Sequence, residues 1–166
     1  MLDGNMGGPG GLAGFSEATL QAFEKELKQT VIPLVESNFR VAPGANNRAL
    51  AGLSLGGLQT LYAGVRNTDM FGYLGVFSSG FFADNPKLSD PQYAFMQANT
   101  TVINQNLKQL WLSMGGPEDI AYTNNKVMRA KLDELGIKYT YREYPGGHTW
   151  PVWRHDLYTF APLLFR

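Results

Sequence analysis

The sequence predicts an α/β fold: a mostly parallel sheet of about four strands, with helices on both faces. Two observations carry that expectation. Short apolar runs at 48–53, 73–78, 109–114 and 137–144 are bounded by turn-forming residues, and a stretch of helical periodicity separates each run from the next. Strand and helix in alternation imply right-handed crossovers, which make neighbouring strands parallel and leave both sheet faces to be covered. No repeat, linker or low-complexity segment divides the chain beyond its glycine-rich start, so residues 1–166 are expected to form one domain.

Residues 1–14 hold six glycines and one proline, a composition expected of a loop or tail; the apolar Met1, Leu2, Met6 and Leu12 favour a loop. Ser16 is a candidate N-cap. From it Leu20, Phe23, Leu27, Val31 and Leu34 recur at helical spacing to about residue 37, predicting a long helix with one buried face and a last turn kinked by Pro33. The strand at 48–53 runs into a helix at 55–65, followed by the strand at 73–78 and a loop containing Phe81, Phe82, Asp84 and Pro86. A helix is expected at 91–106, then the strand at 109–114. Residues 123–135 read as a helix closed by Gly136, and 137–144 as the fourth strand. A last helix covers 150–164, its end disturbed by Pro162.

Composition excludes several functions. Fourteen basic and fourteen acidic residues cancel without a run of like charge, so nothing draws the chain towards nucleic acid or an anionic membrane. Without cysteine there is no disulfide, thiolate metal site or cysteine nucleophile. No apolar run approaches the ~20 residues of a membrane span, and the first residues do not read as a signal peptide. Two histidines in no metal-binding arrangement, and no phosphate-cradling lysine motif, leave no expected metal or cofactor.

Chemistry collects where strands end. Gly52-Leu53-Ser54-Leu55-Gly56 lies between the first strand and its helix, the context of a nucleophile elbow: glycines two residues either side let the backbone double back and expose the serine Oγ. Leu55 N–H and the neighbouring first turn, including Gly56, face the point where an oxyanion would develop. The same letters also occur at glycine-rich turns with an incidental serine, so the partners must decide. In open parallel sheets those partners lie on loops beyond the carboxyl ends of strands. Gly115-Gly116-Pro117-Glu118-Asp119 follows the third strand, and Gly146-Gly147-His148-Thr149-Trp150 follows the fourth. A serine, an acid and a histidine in that chain order point to acyl transfer, with His148 as base to Ser54 and Asp119 holding the imidazole. Asp119 is favoured over Glu118 because a shorter side chain loses less entropy when fixed. His155, about two helical turns beyond His148, is expected to be structural. Ser113-Met114-Gly115-Gly116 mimics the elbow but has Trp111 in place of its first glycine and a serine inside a strand, so it is rejected as nucleophile. Phe81, Phe82, Tyr122, Trp150 and Trp153 are candidates to wall a substrate pocket, although core or rim packing would serve each equally.

Three motifs together carry a family resemblance. The run from Arg48 through Ser54 to Gly57, the loop Gly116 to Asp119 and the segment Gly147-His148-Thr149-Trp150-Pro151-Val152-Trp153-Arg154 resemble those of the esterase D-like α/β-hydrolases. Within that group they are similar to carbohydrate esterase family 1, which includes feruloyl and acetylxylan esterases. The segment Ile32-Pro33-Leu34-Val35-Glu36-Ser37-Asn38-Phe39-Arg40-Val41 is similar to that family's helix before the elbow strand, so the resemblance covers nearly the whole chain. It implies Ser54 as nucleophile, Asp119 as acid and His148 as base, with Phe81 and Trp150 at a pocket for a small acylated or carbohydrate-ester substrate, and it favours secretion. Enterochelin-type esterases and S-formylglutathione hydrolases share parts of the pattern, so a siderophore ester or thioester is the alternative substrate. Family members are longer, with further strands and an upstream loop that supplies a second oxyanion N–H. The chain is therefore expected to be a reduced α/β-hydrolase fold lacking the N-terminal strands. Its elbow strand becomes a sheet edge, to be covered by a missing N-terminal segment, by a second copy in a homo-oligomer, or by the glycine-rich start. A weakly active or inactive remnant that binds carbohydrate or a partner is the competing function.

Overall fold

A computed structural model describes residues 16–166; the glycine-rich loop or tail expected at 1–14 lies outside the described residues. The strands β1 (Ala49–Leu53), β2 (Tyr73–Phe77), β3 (Gln109–Met114) and β4 (Thr140–Glu143) form one sheet in the order β1-β2-β3-β4. Every pairing is parallel, with Leu53 opposite Phe77 and Phe77 opposite Ser113. Among the described residues β1 is thus an edge strand, as the sequence anticipates.

Sequential parallel strands send each right-handed crossover over the same face. That face carries α3 (Leu55–Arg66), α4 (Pro86–Ala98), α5 (Thr100–Asn106) and α6 (Tyr122–Glu134), with α1 (Glu17–Glu26) packed on α3. Leu20, Phe23, Leu58, Leu61, Leu74, Val76, Leu112 and Met128 form its core. The opposite face is covered by α7 (Trp150–Phe160), where Phe160 packs among Tyr73, Phe77 and Trp111.

Four elements depart from their expected bounds. The long first helix is broken by a π-turn at Leu27–Val31 before resuming as α2 (Ile32–Asn38). The π-turn immediately precedes Pro33, which has no N–H to continue the α-ladder and whose ring crowds the carbonyl four residues back. The buried face ends at Leu27, and Leu34, expected on it, is 60% exposed. The helix expected at 91–106 begins instead at Pro86, contains Pro91, and divides at Asn99, which leaves helical dihedrals and is both the last cap of α4 and the first of α5. β4 is shorter than 137–144, because Gly136 turns at φ 70° and Ile137 folds back into the core, its N–H donating to Leu132. The last helix gives way after Phe160 to a 3₁₀ turn holding Pro162.

Candidate active site

Ser54 joins β1 to α3 with φ 54° and ψ −125°, a strained conformation for a side-chain-bearing residue that costs about 1–3 kcal/mol. The fold holds it there: Ser54 N–H donates to the Phe77 carbonyl at 2.9 Å, and the Ser54 carbonyl accepts from Gly57 N–H at 3.0 Å and Leu58 N–H at 3.2 Å. A Cβ on Gly52 would stand 2.3 Å from the Gly56 carbonyl oxygen, so nothing larger than glycine fits there. The expectation that both flanking glycines are required by crowding is corrected at Gly56, whose own Cβ would meet nothing within 4 Å. Gly57 is the constrained residue of the first helical turn, its Cβ position lying 2.6 Å from that of Ser79.

The acid and histidine loops are pressed together by a similar close approach. Gly116 N–H donates to the Gly146 carbonyl at 2.6 Å, and a Cβ on Gly115 would sit 2.4 Å from that same oxygen. This contact brings His148 to Asp119: Nδ1 of the imidazole lies 2.8 Å from Asp119 Oδ1, and Nε2 lies 2.9 Å from Ser54 Oγ. A carboxylate can only accept, which assigns the proton to Nδ1 and leaves Nε2 to accept from the serine hydroxyl. Asp119 is 3% exposed, and its Oδ1 also accepts the Ala121 N–H at 2.9 Å, fixing the carboxylate from the loop side. Trp153 sets its ring edge against the imidazole at 4.9 Å and 88°.

Ser54 and His148 open into a cavity of about 190 Å³ lined by Leu55, Leu58, Phe82, Ile120 and Asn124, with Ser78, Ser79, Gly80 and Ala121 completing its wall. Leu55, the first residue of α3, carries an N–H without an intrahelical acceptor beside Ser54. Gly56 and Trp150 are not among the lining residues. Trp150 is 64% exposed and leans on Trp153 at 5.3 Å, away from the cavity. Phe81, expected at the pocket, is instead fully buried edge-on to Tyr93 at 5.6 Å; its neighbour Phe82 faces the cavity. Consecutive residues of an extended segment point to opposite sides, and here the core took the first. Glu118 is exposed beside Gly116, and His155 packs against Tyr144 at 4.2 Å, apart from the site. Sequence reasoning missed Ser78, Ile120 and Asn124. Ser78 carries a signal visible only in three dimensions, φ 45° at the end of β2 directly beside Ser54.

A family model described as Esterase matches residues 12–164. Among curated proteins, the chain is 30% identical over 149 residues to an endo-1,4-beta-xylanase/feruloyl esterase of Xylanibacter ruminicola, covering 89% of this chain and 18% of that protein. It is 26% identical over 131 residues to an iron(III) enterobactin esterase of Escherichia coli, covering 79% of this chain and 33% of that protein. Among solved structures, the feruloyl esterase module from Clostridium thermocellum, complexed with sinapinate, superposes with a TM-score of 0.72 at 24% identity, covering 89% of this chain and 59% of that one. The chain therefore spans less than two thirds of the length of each of these proteins.

Proposed function

This chain belongs to the esterase family, and from that premise we propose that it is a serine carboxylic-ester hydrolase using Ser54, His148 and Asp119. The observation that carries the reading is the continuous hydrogen-bonded chain from Ser54 Oγ through both imidazole nitrogens to Asp119, open to a cavity at its serine end. In the proposed reaction, His148 Nε2 takes the hydroxyl proton as Ser54 Oγ attacks the ester carbonyl carbon. The carbonyl oxygen becomes an oxyanion facing Leu55 N–H, and Asp119 stabilises the imidazolium. His148 then returns the proton to the leaving alcohol, and water, activated by the same imidazole, releases the acid and frees Ser54.

The substrate class we propose is a feruloyl or acetyl ester of plant-wall carbohydrate. An apolar floor of Leu55, Leu58 and Phe82 suits an aromatic or short acyl group, and the exposed Ile120 rim leaves room for a bulky alcohol. The named functions of the xylanase-linked relative and the C. thermocellum module support this choice; the enterobactin esterase relative keeps a siderophore ester as the comparison substrate. Ser54→Ala should abolish p-nitrophenyl acetate hydrolysis while leaving the circular dichroism spectrum unchanged; undiminished turnover by that variant would remove the assignment. A fluorophosphonate probe should label the parent chain at Ser54. No labelling would favour the second reading, a binding remnant, for which the single identified oxyanion donor is the supporting observation: lack of one donor costs about 10²–10³ in kcat. Turnover of methyl ferulate exceeding that of enterobactin would support the plant-wall substrate, and the reverse order would overturn it.

A further inference from the structure

Trp111 and Ser113 share the face of β3 that α7 covers, and Gly115 follows them: Phe160 packs on Trp111, Asp156 stands one helical turn before Phe160, and Asp119 Oδ2 lies 2.9 Å from where a Cβ on Gly115 would stand. Asp156, on the buried stripe of α7 with Val152 and Phe160, has no exposed surface. Among the described residues, neither of its carboxyl oxygens makes a well-formed hydrogen bond, although the Ser113 hydroxyl stands beside it, and Asp119 Oδ2 makes none. An unpaired charge buried in this way is costly, and a carboxyl avoids the cost by keeping its proton. Burial pushes the Asp156 carboxyl up to about 6, the nearby Ser113 hydroxyl pulling the other way and the like charge of Asp119 adding to the rise.

Asp119 is held from its other oxygen. Its Oδ1 accepts from Ala121 N–H and from His148 Nδ1–H, which leaves Oδ2 facing the buried side. The other charged side chains stand clear. Arg142 of β4 is exposed with its guanidinium 5.8 Å from the centre of the Trp111 ring; Glu143 is engaged by Tyr141; Glu118 is exposed; and Arg154 and His155 of α7 point outward.

We propose that Asp156 is a positioning residue for the triad acid: buried on α7 with Ser113 beside it, it backs the Asp119 carboxyl and keeps it directed at His148. The proposal rests on the roles given above to Ser54, His148 and Asp119. It implies that the support weakens as pH rises and Asp156 ionises.

The experiment measures kcat and KM for p-nitrophenyl acetate between about pH 5 and 9 for the parent chain, Asp156→Asn, Asp156→Leu and Ser113→Ala, with thermal unfolding of each. Near pH 6, Asp156→Asn, which keeps shape and a donor, should stay within about threefold of the parent kcat. Asp156→Leu should lose about tenfold or more with KM unchanged. The ratio of the Asn variant's kcat to the parent's should climb with pH, because amide does not ionise. A folded Leu variant with parental kcat, or an Asn-to-parent ratio that stays flat with pH, would overturn the proposal. Should the Leu variant not fold, Ser113→Ala interrupts the same cluster and should lower kcat in the same way; parental kcat in a folded Ser113→Ala would count equally against it. Absence of turnover and of fluorophosphonate labelling in the parent itself would instead indict the triad reading.

Discussion

At the scale of single residues, the elbow distinguishes two glycines that look equivalent as letters. Gly52→Ala would press a methyl into the Gly56 carbonyl and should cost several kcal/mol or displace Ser54, whereas Gly56→Ala enters open space and should be stable to within about 1 kcal/mol. Thermal melts together with fluorophosphonate labelling would separate the two; equal losses would mean the turn is not built as described. Asp156 gives a pH prediction of definite sign. Its folded-state pKa is raised from 3.8 to about 6, so between those values the folded chain holds a proton that the unfolded chain has released, and stability falls as pH rises through that window. The cost is present in full above about pH 6. Asp156→Asn should therefore be more stable than the parent at pH 8, by about 2 kcal/mol after allowance for solvent screening, and the gain should vanish near pH 4. Denaturant titrations at the two pH values would read this directly.

At the scale of elements, periodicity marked α6 well because it alternates one buried stripe, Asn125, Met128 and Leu132, with solvent, whereas α3 is buried on all sides from Gly57 to Val65 and was legible from the elbow that starts it. The failures have separate physical causes. Around Pro33 a helical pattern continues through a backbone that cannot keep its ladder, and a π-turn absorbs the conflict. At Asn99 the side chain competes for the Phe95 carbonyl and the chain re-caps itself, splitting one expected helix into two. α7 shows how far one element can carry a face of the sheet. Phe160 is 1% exposed and sits edge-on to Phe77 at 5.7 Å. It fills the space above Gly75, whose Cβ position lies 2.8 Å from its ring. Phe160→Ala should destabilise by about 3–5 kcal/mol, measured by denaturant unfolding. Because α7 also carries Trp153 against the imidazole, the variant should lose activity at temperatures below its melting point.

At the scale of the whole molecule, the sheet formed by the described residues is open at β1. Ser54 N–H bonds to Phe77, and in a parallel ladder alternate residues face the same partner, so the N–H groups of Ala51 and Leu53 face outward. Beside this edge runs an apolar groove of about 340 Å³ lined by Leu27, Val31, Val35, Val41, Leu50 and Phe71. Arg48 bolts its far end, bonding to the Met70 carbonyl at 2.8 Å and to Glu36. An edge of this kind pairs readily with another strand. Sedimentation equilibrium should show a dimer of the 166-residue chain, with slow hydrogen exchange at Ala51 and Leu53; a monomer with fast exchange at both would argue against pairing at this edge.

By itself the sequence determined the order of the strands, the parallel sheet, the edge position of β1 among the described residues, and three residues, Ser54, Asp119 and His148, that the fold brings within hydrogen-bonding distance. These depend on local periodicity and on motifs that each occupy a single strand-end loop. Only the tertiary structure decided that Phe82 rather than Phe81 faces the cavity, that Gly56 is unconstrained while Gly52 is not, and that Asp156 is fully buried on α7. Those outcomes turn on contacts between segments far apart in the chain, and a contact of that kind leaves no period and no spacing to read.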